Sequence, residues 1–375
     1  MTYLNLLRYG QLLAFVAILS PVTAQETTFT QFYNLRTALN PAYVSVPNGV
    51  EMTAGYRRQW PSLQHGLHGA FAGVSMRHCG TPLGYGLSIS QVGEDVFGYR
   101  IREAAFQIGS FVNTSRNSSL HMGLKATIGN RGVDASQQVF TGQLDPVFGI
   151  VRDNSGFVSV EHNSLTTYDI GGGIVWRGEY GIGRFKGPLS AGLSVQHLGG
   201  SRDVSLQNIE TTLHPRWIAH LSMAVPVSEE FRKLTALYIT PMLRIDIQGK
   251  QRQSFAGCII QLQSTYLSVV YVHARNPVNV TNTNSLSISP GFEFPTSRHT
   301  RITLGYSFDM PLSGLGATST GGTHELSARI NFDNTCIFGS RGYGRKKGGF
   351  FSSPTNKRKA KCYQFGDKGF LGFLN

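Results

Sequence analysis

The sequence predicts an all-β protein, namely a transmembrane antiparallel β-barrel of the outer-membrane type with about 14 strands. Three observations predict this fold. Apolar and polar residues alternate through most of the chain, many alternating segments are about ten residues or longer, and long connections alternate with short ones. Strands that cross a membrane at a tilt need about 9–11 residues, whereas strands of globular proteins usually have about 5–6.

The composition is that of a folded protein built from strands. The chain has 375 residues, of which 41% are hydrophobic and 15% are charged, and it contains 44 glycines. It can bury a core, while its low charge and high glycine content are unusual for a soluble enzyme. No run of 18 or more apolar residues follows the N-terminus, which excludes a helical membrane protein. A membrane role must therefore rest on strands.

Residues 1–24 have the pattern of a secretory signal peptide. Arg8 supplies a positive charge, Leu12 to Leu19 form an apolar stretch, and Val22-Thr23-Ala24 match a small-residue cleavage site before Gln25. The alternative interpretation is a buried N-terminal helix. Because an exported protein leaves the cytoplasm, we expect no nucleic acid partner despite the net charge of +13.

Residues 48–333 are expected to form the barrel. In the segment from Thr300 to Asp309, apolar side chains alternate with polar ones, and the segments 119–129 and 323–333 show the same pattern. A soluble β-sandwich would show this alternation too, so alternation alone does not separate the two folds. The predicted strands are 48–58, 66–77, 84–92, 98–112, 119–129, 164–177, 188–198, 213–226, 235–248, 252–263, 265–275, 283–294, 299–309 and 323–333.

Connection lengths favour a membrane barrel over a sandwich. In outer-membrane barrels the extracellular loops are long, the periplasmic turns are short, and the number of strands is even. This pattern places both ends of the barrel region in the periplasm. The longer connections follow odd-numbered strands, at 130–163, 199–212, 276–282 and 310–322. The shorter ones mostly follow even-numbered strands, at 78–83, 113–118, 264 and 295–298.

No catalytic, cofactor or metal site is predicted. The sequence has no nucleophile elbow, zinc-protease helix, Walker A or dinucleotide motif, and its 11 histidines are dispersed. We therefore expect that the protein is not an enzyme. The alternation turns several ionisable side chains inward, where they either pair with one another or contact a passing peptide. These side chains are Lys125, Asp246, Arg301, Asp309, Glu325 and Arg329.

Residues 334–375 form a predicted basic periplasmic tail. It has little apolar periodicity, so we do not expect it to fold alone. It is either a solvated extension or a docking element for an acidic periplasmic protein or for anionic inner-leaflet headgroups. Its two cysteines, Cys336 and Cys362, either form a disulfide bond or stay free. The candidate docking residues are Arg345, Lys346, Lys347, Lys357, Arg358 and Lys359.

Three blocks of the sequence match a known family. The first runs from Gln31 to Asn34 and from Leu39 to Tyr43, the second from Tyr56 to Pro61, and the third from Gly321 to Ser327. Together they resemble the PorP/SprF family of the Bacteroidetes type IX secretion and gliding machinery. The order and spacing of the blocks cover the whole barrel region, whereas the basic tail is not part of the family pattern.

The resemblance implies an outer-membrane barrel without catalytic activity. Members of this family work with periplasmic and lipoprotein components of the secretion system. They help to deliver or retain secreted surface proteins or adhesins that bear a C-terminal sorting domain. For this chain we therefore expect a location in the bacterial outer membrane, with the lipids of that membrane, those components and such cargo as partners. A rival interpretation, suggested by the polar lumen, is a general porin or small-solute channel.

The residues of the three blocks are candidate contacts with partner proteins. Residues 25–47 are expected to form a periplasmic N-terminal segment. Because Asn40-Pro41 stops any helix, this segment lies against the periplasmic mouth or inside the lumen, as a plug or latch. The candidate contacts are Gln31, Phe32, Tyr33, Asn40, Pro41, Tyr56, Arg57, Gln59, Trp60, His324 and Glu325.

The block that contains Arg57 has more than one interpretation. Arg57 is expected at the outer rim, where it meets lipid A phosphates, lumen carboxylates or a partner's carboxylate. Alternatively, its block only anchors the barrel in the membrane interface, where Trp60 is well suited. Glu325 is expected to face inward and to pair with a lumen arginine.

Overall fold

The computed structural model describes residues 28–333 and 335, apart from 64–65, 79, 95–97, 116, 134–143, 146–148, 151–162, 183–184, 200–201, 205–209, 228–236, 276–282, 298 and 313–315. The predicted signal peptide, the six candidate docking residues of the tail, and Cys336 and Cys362 lie outside the described residues. No helix of the described part is long and apolar enough to cross a membrane.

Fourteen antiparallel strands form one closed barrel, as the sequence predicts. The first seven are β1 (Gly49–Gln59), β2 (Leu67–Arg77), β3 (Leu83–Glu94), β4 (Tyr99–Ser115), β5 (Ser118–Val133), β6 (Asn163–Ile182) and β7 (Phe185–Gln196). The others are β8 (Arg216–Met223, continued by Val225–Pro226), β9 (Leu237–Gln248), β10 (Gln251–Leu262), β11 (Thr265–Arg275), β12 (Thr283–Ser297), β13 (Thr300–Pro311) and β14 (Thr323–Asp333).

Each strand pairs with its neighbours along the chain, and pairing of β1 with β14 closes the ring. In that closing pair, Gly49 lies opposite Asp333 and Gln59 lies opposite Thr323. Short elements occur outside the wall. They are α1 (Arg36–Leu39), a 3₁₀ helix (Pro41–Ser45), α2 (Ala317–Thr320), and two hairpins that pair Leu144–Asp145 with Gly149–Ile150 and Arg202–Val204 with Glu210–Thr212.

The two rims of the barrel differ in the length of their connections. We call the rim that carries the connections 60–66, 134–162, 197–215 and 312–322 the long-loop rim. The turn rim carries 116–117, 183–184, 263–264 and 298–299. Three connections depart from this segregation, since 95–98 and 249–250 at the long-loop rim are short and 227–236 at the turn rim is longer. By the rule for bacterial barrels, we expect the long-loop rim to face the cell exterior.

Four strands, β4, β6, β7 and β12, extend three residues or more beyond their predicted bounds at the turn rim. The sequence predicts 98–112 and 164–177, but β4 continues to Ser115 and β6 to Ile182. Asn113 still pairs with Ser119, and Ser118 still pairs with Gly178. The apolar alternation stops before backbone pairing does, so polar strand ends look like loops in the sequence.

The wall has an apolar outer face and a polar inner face. On β13, Leu304 is 45% and Tyr306 39% exposed on the outside, whereas Thr303 and Asp309 are almost fully buried on the inside. On β14, Leu326 faces out in the same way. The predicted alternation is therefore confirmed, with the polar inner face of a membrane barrel.

Residues 28–46, which we call the plug, lie inside the ring of strands. The backbone N–H of Gln31 donates to Glu325 on β14 (3.0 Å), and the side chain of Asn40 donates to the carbonyl oxygen of Leu193 on β7 (3.0 Å). Because β7 and β14 are half a ring apart, these contacts lie on opposite walls. Of the two positions that the sequence left open, mouth or lumen, the plug occupies the lumen.

The hydrophobic core lies between the plug and the inner wall rather than within the wall. Asn40 begins the 3₁₀ helix by accepting the N–H of Ala42 (3.0 Å), with Pro41 in the first turn, where a missing N–H is harmless. The core cluster joins Phe32, Tyr33, Leu39, Ala42, Tyr43 and Val46 of the plug to Val175, Ile218, Met242, Phe255, Ile259, Tyr266, Val270 and Val272 of the wall.

Two glycines let the plug approach the wall closely. A Cβ atom at Gly123 on β5 would lie 2.5 Å from the backbone nitrogen of Ala42, and one at Gly84 on β3 would collide with the carbonyl oxygen of Val44. Glycine in a strand often marks such a close backbone approach. Part of the high glycine content therefore serves the fit between plug and wall.

Candidate functional site

The long-loop end of the plug is held by a buried cluster of one arginine and two carboxylates. Arg57 on β1 lies 3.0 Å from Asp309 Oδ2 on β13 and also contacts Glu325 on β14. Glu325 accepts the backbone N–H groups of Thr30 (2.7 Å) and Gln31 (3.0 Å), and the Thr30 hydroxyl donates to Asp309 (2.7 Å). Charged hydrogen bonds of this kind are stronger than neutral ones, so this cluster is a strong anchor.

Below this anchor, neutral hydrogen bonds continue along the plug. Asn34 donates to the hydroxyls of Ser327 (2.8 Å) and Tyr266 (3.1 Å), and Ser327 donates to Gln31 Oε1 (2.8 Å). The ring of Tyr33 meets the ring of Tyr266 edge to face, with centroids 6.2 Å apart. Polar and aromatic contacts therefore alternate along one side of the plug.

A second charged group supports the opposite side of the plug. The guanidinium of Arg244 on β9 lies over the rings of Phe32 (5.3 Å) and Phe255 (4.7 Å), which is a cation–π arrangement. Asp246 accepts from Arg244 (2.8 Å) and from Arg216 on β8 (2.6 Å). This group holds Phe32 against the wall without exposing a charge to the lumen.

At the turn-rim end, the plug combines an ion pair with close packing. Arg36 on α1 pairs with Glu51 on β1. Tyr43 stacks on His220 with ring centroids 5.5 Å apart, and its hydroxyl lies 3.1 Å from Ser190 Oγ. A cavity of about 30 Å³ beside these residues holds one or two water molecules at most. At this level the described plug fits the wall tightly.

The structure brings seven of the eleven family-block candidates together at the plug. Gln31, Phe32, Tyr33, Asn40 and Pro41 belong to the plug and are buried, while Arg57 and Glu325 anchor it. The predicted pairing of Glu325 with a lumen arginine is present, and the arginine is Arg57. For the five plug residues, contact with a partner protein would require the plug to leave the wall.

The other four candidates lie at the long-loop rim, away from the plug. Tyr56 is 45% exposed and faces outward, and Gln59 ends β1. The N–H of Trp60 donates to the carbonyl oxygen of Gly322 (2.9 Å), and His324 lies 2.7 Å from the hydroxyl of Tyr306 on the outer face.

The backbone conformation explains why the third block contains two consecutive glycines. Gly321 and Gly322 both have positive φ angles, 74° and 68°, which favour glycine. This conformation ends α2 and brings the chain back into β14 directly above Glu325.

Sequence reasoning missed several residues that hold the plug. Arg36, Glu51, Arg216 and Arg244 were not singled out. Glu51 occupies an inward position of the alternation on β1, which is a signal that the sequence does carry. Arg36 lies between the two segments of the first family block. Its pairing with Glu51 follows only from the position of the plug in the lumen.

No metal centre is evident in the described ranges, where no three His, Cys, Asp or Glu side chains come together in a suitable arrangement. The free thiol of Cys258 on β10 is partly buried. The chemistry of the site is therefore that of a noncovalent anchor: hydrogen bonds, ion pairs and packing.

Comparisons with known proteins show what the chain resembles. The family described as type IX secretion system membrane protein PorP/SprF matches residues 22–330. No curated protein matches the chain. Similar solved structures include a FadL homologue of Pseudomonas aeruginosa (9% identity, 79% of this chain and 93% of that chain, TM-score 0.41). Another is the β domain of the Bordetella autotransporter BrkA (6% identity, 76% of this chain and 99% of that chain, TM-score 0.39). A third is the Ralstonia pickettii toluene transporter TbuX (12% identity, 79% of this chain and 92% of that chain, TM-score 0.39).

The family match covers most of the chain, including the plug and nearly all of the barrel. It joins the three sequence blocks to the closed fourteen-strand fold described above. The chain is therefore an outer-membrane β-barrel that belongs to the PorP/SprF family of type IX secretion system membrane proteins.

Proposed function

We propose that this outer-membrane component of the type IX secretion system is a sealed barrel that helps to deliver or anchor secreted sorting-domain proteins at the cell surface. The observation that carries the proposal is the plug. Gln31, Asn40 and Ala42 are completely buried inside the wall. A barrel that is filled by its own chain is suited to bind proteins at its rims and on its outer face, and no catalytic step is part of this role.

The rival function is a general porin or a small-solute channel. Barrels of 16–18 strands leave an aqueous channel, whereas barrels of about eight strands are filled by their own side chains. With fourteen strands the lumen can hold either water or a plug. Here three of the inward charges that would line a channel contact the plug, since Arg57, Asp309 and Glu325 all contact Thr30. This arrangement favours the sealed barrel.

The basic tail is the proposed docking element for periplasmic components of the machinery. β14 ends at Asp333 on the turn rim, which is the rim expected to face the periplasm, and this supports a tail that begins on that side. Its Lys and Arg side chains would attract an acidic protein surface or anionic headgroups over about one Debye length, and salt would weaken this attraction.

Crosslinked affinity purification from native outer membranes tests the proposal. The full chain is compared with a variant that ends after Asn334 and with a full-length variant in which the six candidate docking residues are replaced by Gln. We expect sorting-domain cargo or secretion components to co-purify with the full chain, and some of them to be lost equally from both variants. If no specific protein co-purifies with any form and the purified barrel conducts ions, the porin is the correct function.

A further inference from the structure

Two arginines at the long-loop rim face the membrane rather than the lumen. Arg100 and Arg102 lie near the start of β4, and both are exposed on the outer face. In the sheet, Arg100 lies between Gly93 and Gly132, and Arg102 lies between Gln91 and Asn130. No carboxylate is their cross-strand neighbour on either side. Their direct cross-strand neighbours, all of them described residues, therefore leave the two positive charges unbalanced.

Directly below these arginines, the outer wall carries a long apolar groove. It consists of three depressions of about 670, 810 and 480 Å³, and neighbouring depressions share lining residues. Arg102 lines the first of them. The floor is formed by the small side chains Ala72, Ala104 and Ala126, and the sides by larger ones such as Ile89, Ile128, Phe106 and Tyr168. The groove follows β2 to β5 from the long-loop rim toward the turn rim.

The depth of the arginines matches that of lipid headgroups. The outward positions of β4 from Ala104 to Val112 are uncharged, and at strand geometry and tilt they span about 20 Å along the membrane normal. The apolar band of an outer-membrane barrel is about 25 Å tall. Arg102 therefore lies at the upper border of this band, on the side that faces the cell exterior.

We infer that Arg100, Arg102 and the alanine-floored groove bind a phosphorylated glycolipid of the outer leaflet, of the lipid A class. Its phosphates accept hydrogen bonds from the two guanidinium groups, whose planar fork matches phosphate oxygens. Its acyl chains lie along the groove over Ala72 and Ala104. We choose this occupant because of its charge. Two neighbouring arginines at this depth complement an anionic headgroup of the outer leaflet. This inference is independent of the role in cargo delivery.

Native mass spectrometry of the full chain in detergent, titrated with lipid A, tests the headgroup contact. The variant is Arg100→Gln/Arg102→Gln. We expect its apparent Kd for the first lipid A molecule to rise by about thirtyfold, since two arginines at a charged membrane surface are removed. Dephosphorylated lipid A and phosphatidylethanolamine serve as comparison lipids, and we expect both to bind the unchanged protein more weakly than lipid A.

A matched control separates this site from general attraction at the rim. Arg252 and Arg275 are cross-strand neighbours on β10 and β11, both exposed at the same rim, and the large side chain of Ile247 lies beside Arg252. We expect Arg252→Gln/Arg275→Gln to change the Kd of the first lipid by less than about threefold. If both double variants lose the same affinity, general rim charge explains binding and the inference is overturned.

Filling the groove tests the acyl contact separately. Ala104→Phe places a ring in the floor of the groove, and Ala256→Phe places one on the outer face of β10. Both side chains face lipid, so both variants should keep the heat-modifiable gel migration of a folded barrel. We expect only Ala104→Phe to weaken lipid A binding, by about tenfold. Unchanged binding in Ala104→Phe, or equal binding of phosphatidylethanolamine and lipid A, would contradict the inference.

Discussion

The two ends of the plug are held by different forces. At the long-loop rim, Thr30 is fixed by charged hydrogen bonds to Asp309 and Glu325, which Arg57 joins. At the turn rim, the 3₁₀ helix packs its backbone against glycine positions of the wall, among them Gly123. A charged anchor is lost when one charged partner is removed. A packed anchor is lost when a larger side chain on the wall fills the space that the plug occupies. The long-loop end is therefore held mainly by charge, whereas at the turn rim close packing adds to the Arg36–Glu51 ion pair.

The difference also follows from where each end lies along the chain. The turn-rim end continues directly into β1, so it cannot move far without disturbing that strand. The long-loop end is anchored by residues on β1, β9, β10, β13 and β14, most of them far away in sequence from Thr30. Its position therefore depends on barrel closure.

The largest effect is expected for Arg57→Gln. The substitution leaves the two buried carboxylates, Asp309 and Glu325, close together without their cation. Removing one partner of a buried pair costs about 3–5 kcal/mol. We expect that loss in the free energy of unfolding, measured by urea titration in lipid vesicles. Arg252→Gln, which removes an arginine from the outer face of β10 at the same rim, is the control and should change stability by less than about 0.5 kcal/mol. Equal losses in both variants would contradict the proposed anchor.

A somewhat smaller effect is expected for Gly123→Val at the packed end. The new side chain has no room beside Ala42, so the plug or the strand must shift. Overpacking typically costs about 1–3 kcal/mol. Gly172→Val on β6 is the matched control, because its nearest neighbour there is the flexible side chain of Leu124 at 3.5 Å. The same urea titration applies, and a Gly123→Val protein as stable as the control would show that the plug does not touch this wall.

The smallest effect is expected for Tyr43→Phe. The variant keeps the stacked ring on His220 but loses the hydroxyl that lies 3.1 Å from Ser190. One neutral hydrogen bond contributes about 0.5–1.5 kcal/mol. Tyr168→Phe, on the lipid-facing side, should leave the free energy of unfolding unchanged. If Tyr43→Phe is equally silent, the hydroxyl is not part of the anchor.

The sequence predicts the barrel well because its signals are local. Alternation along β13 reports which side chains face the lipid, and it needs no knowledge of distant residues. The inward position of Glu325 follows from the same alternation. The extra length of β4 does not, because backbone pairing of polar residues such as Asn113 and Ser119 leaves no hydropathy signal.

The site could be predicted only in part, because it depends on contacts between distant residues. The sequence assigns a lumen arginine to Glu325, but only the closing register places Arg57 opposite it. Likewise, Asn40-Pro41 predicts an interrupted helix. Whether this segment lies at the mouth or in the lumen depends on the wall glycines, such as Gly123, that leave room for its backbone. Arg36 and Glu51 are close in sequence, and their pairing still requires the plug to fold back along β1.

Planar-bilayer conductance of the purified full chain tests the central claim, that the barrel is sealed by its own N-terminal segment. Folded protein is verified first by heat-modifiable migration on gels. If the plug seals the lumen, the unchanged protein shows no stable ion current, and Arg57→Gln shows channel events under the same conditions. Large, stable currents from the unchanged protein would show that the lumen is open and would favour the porin.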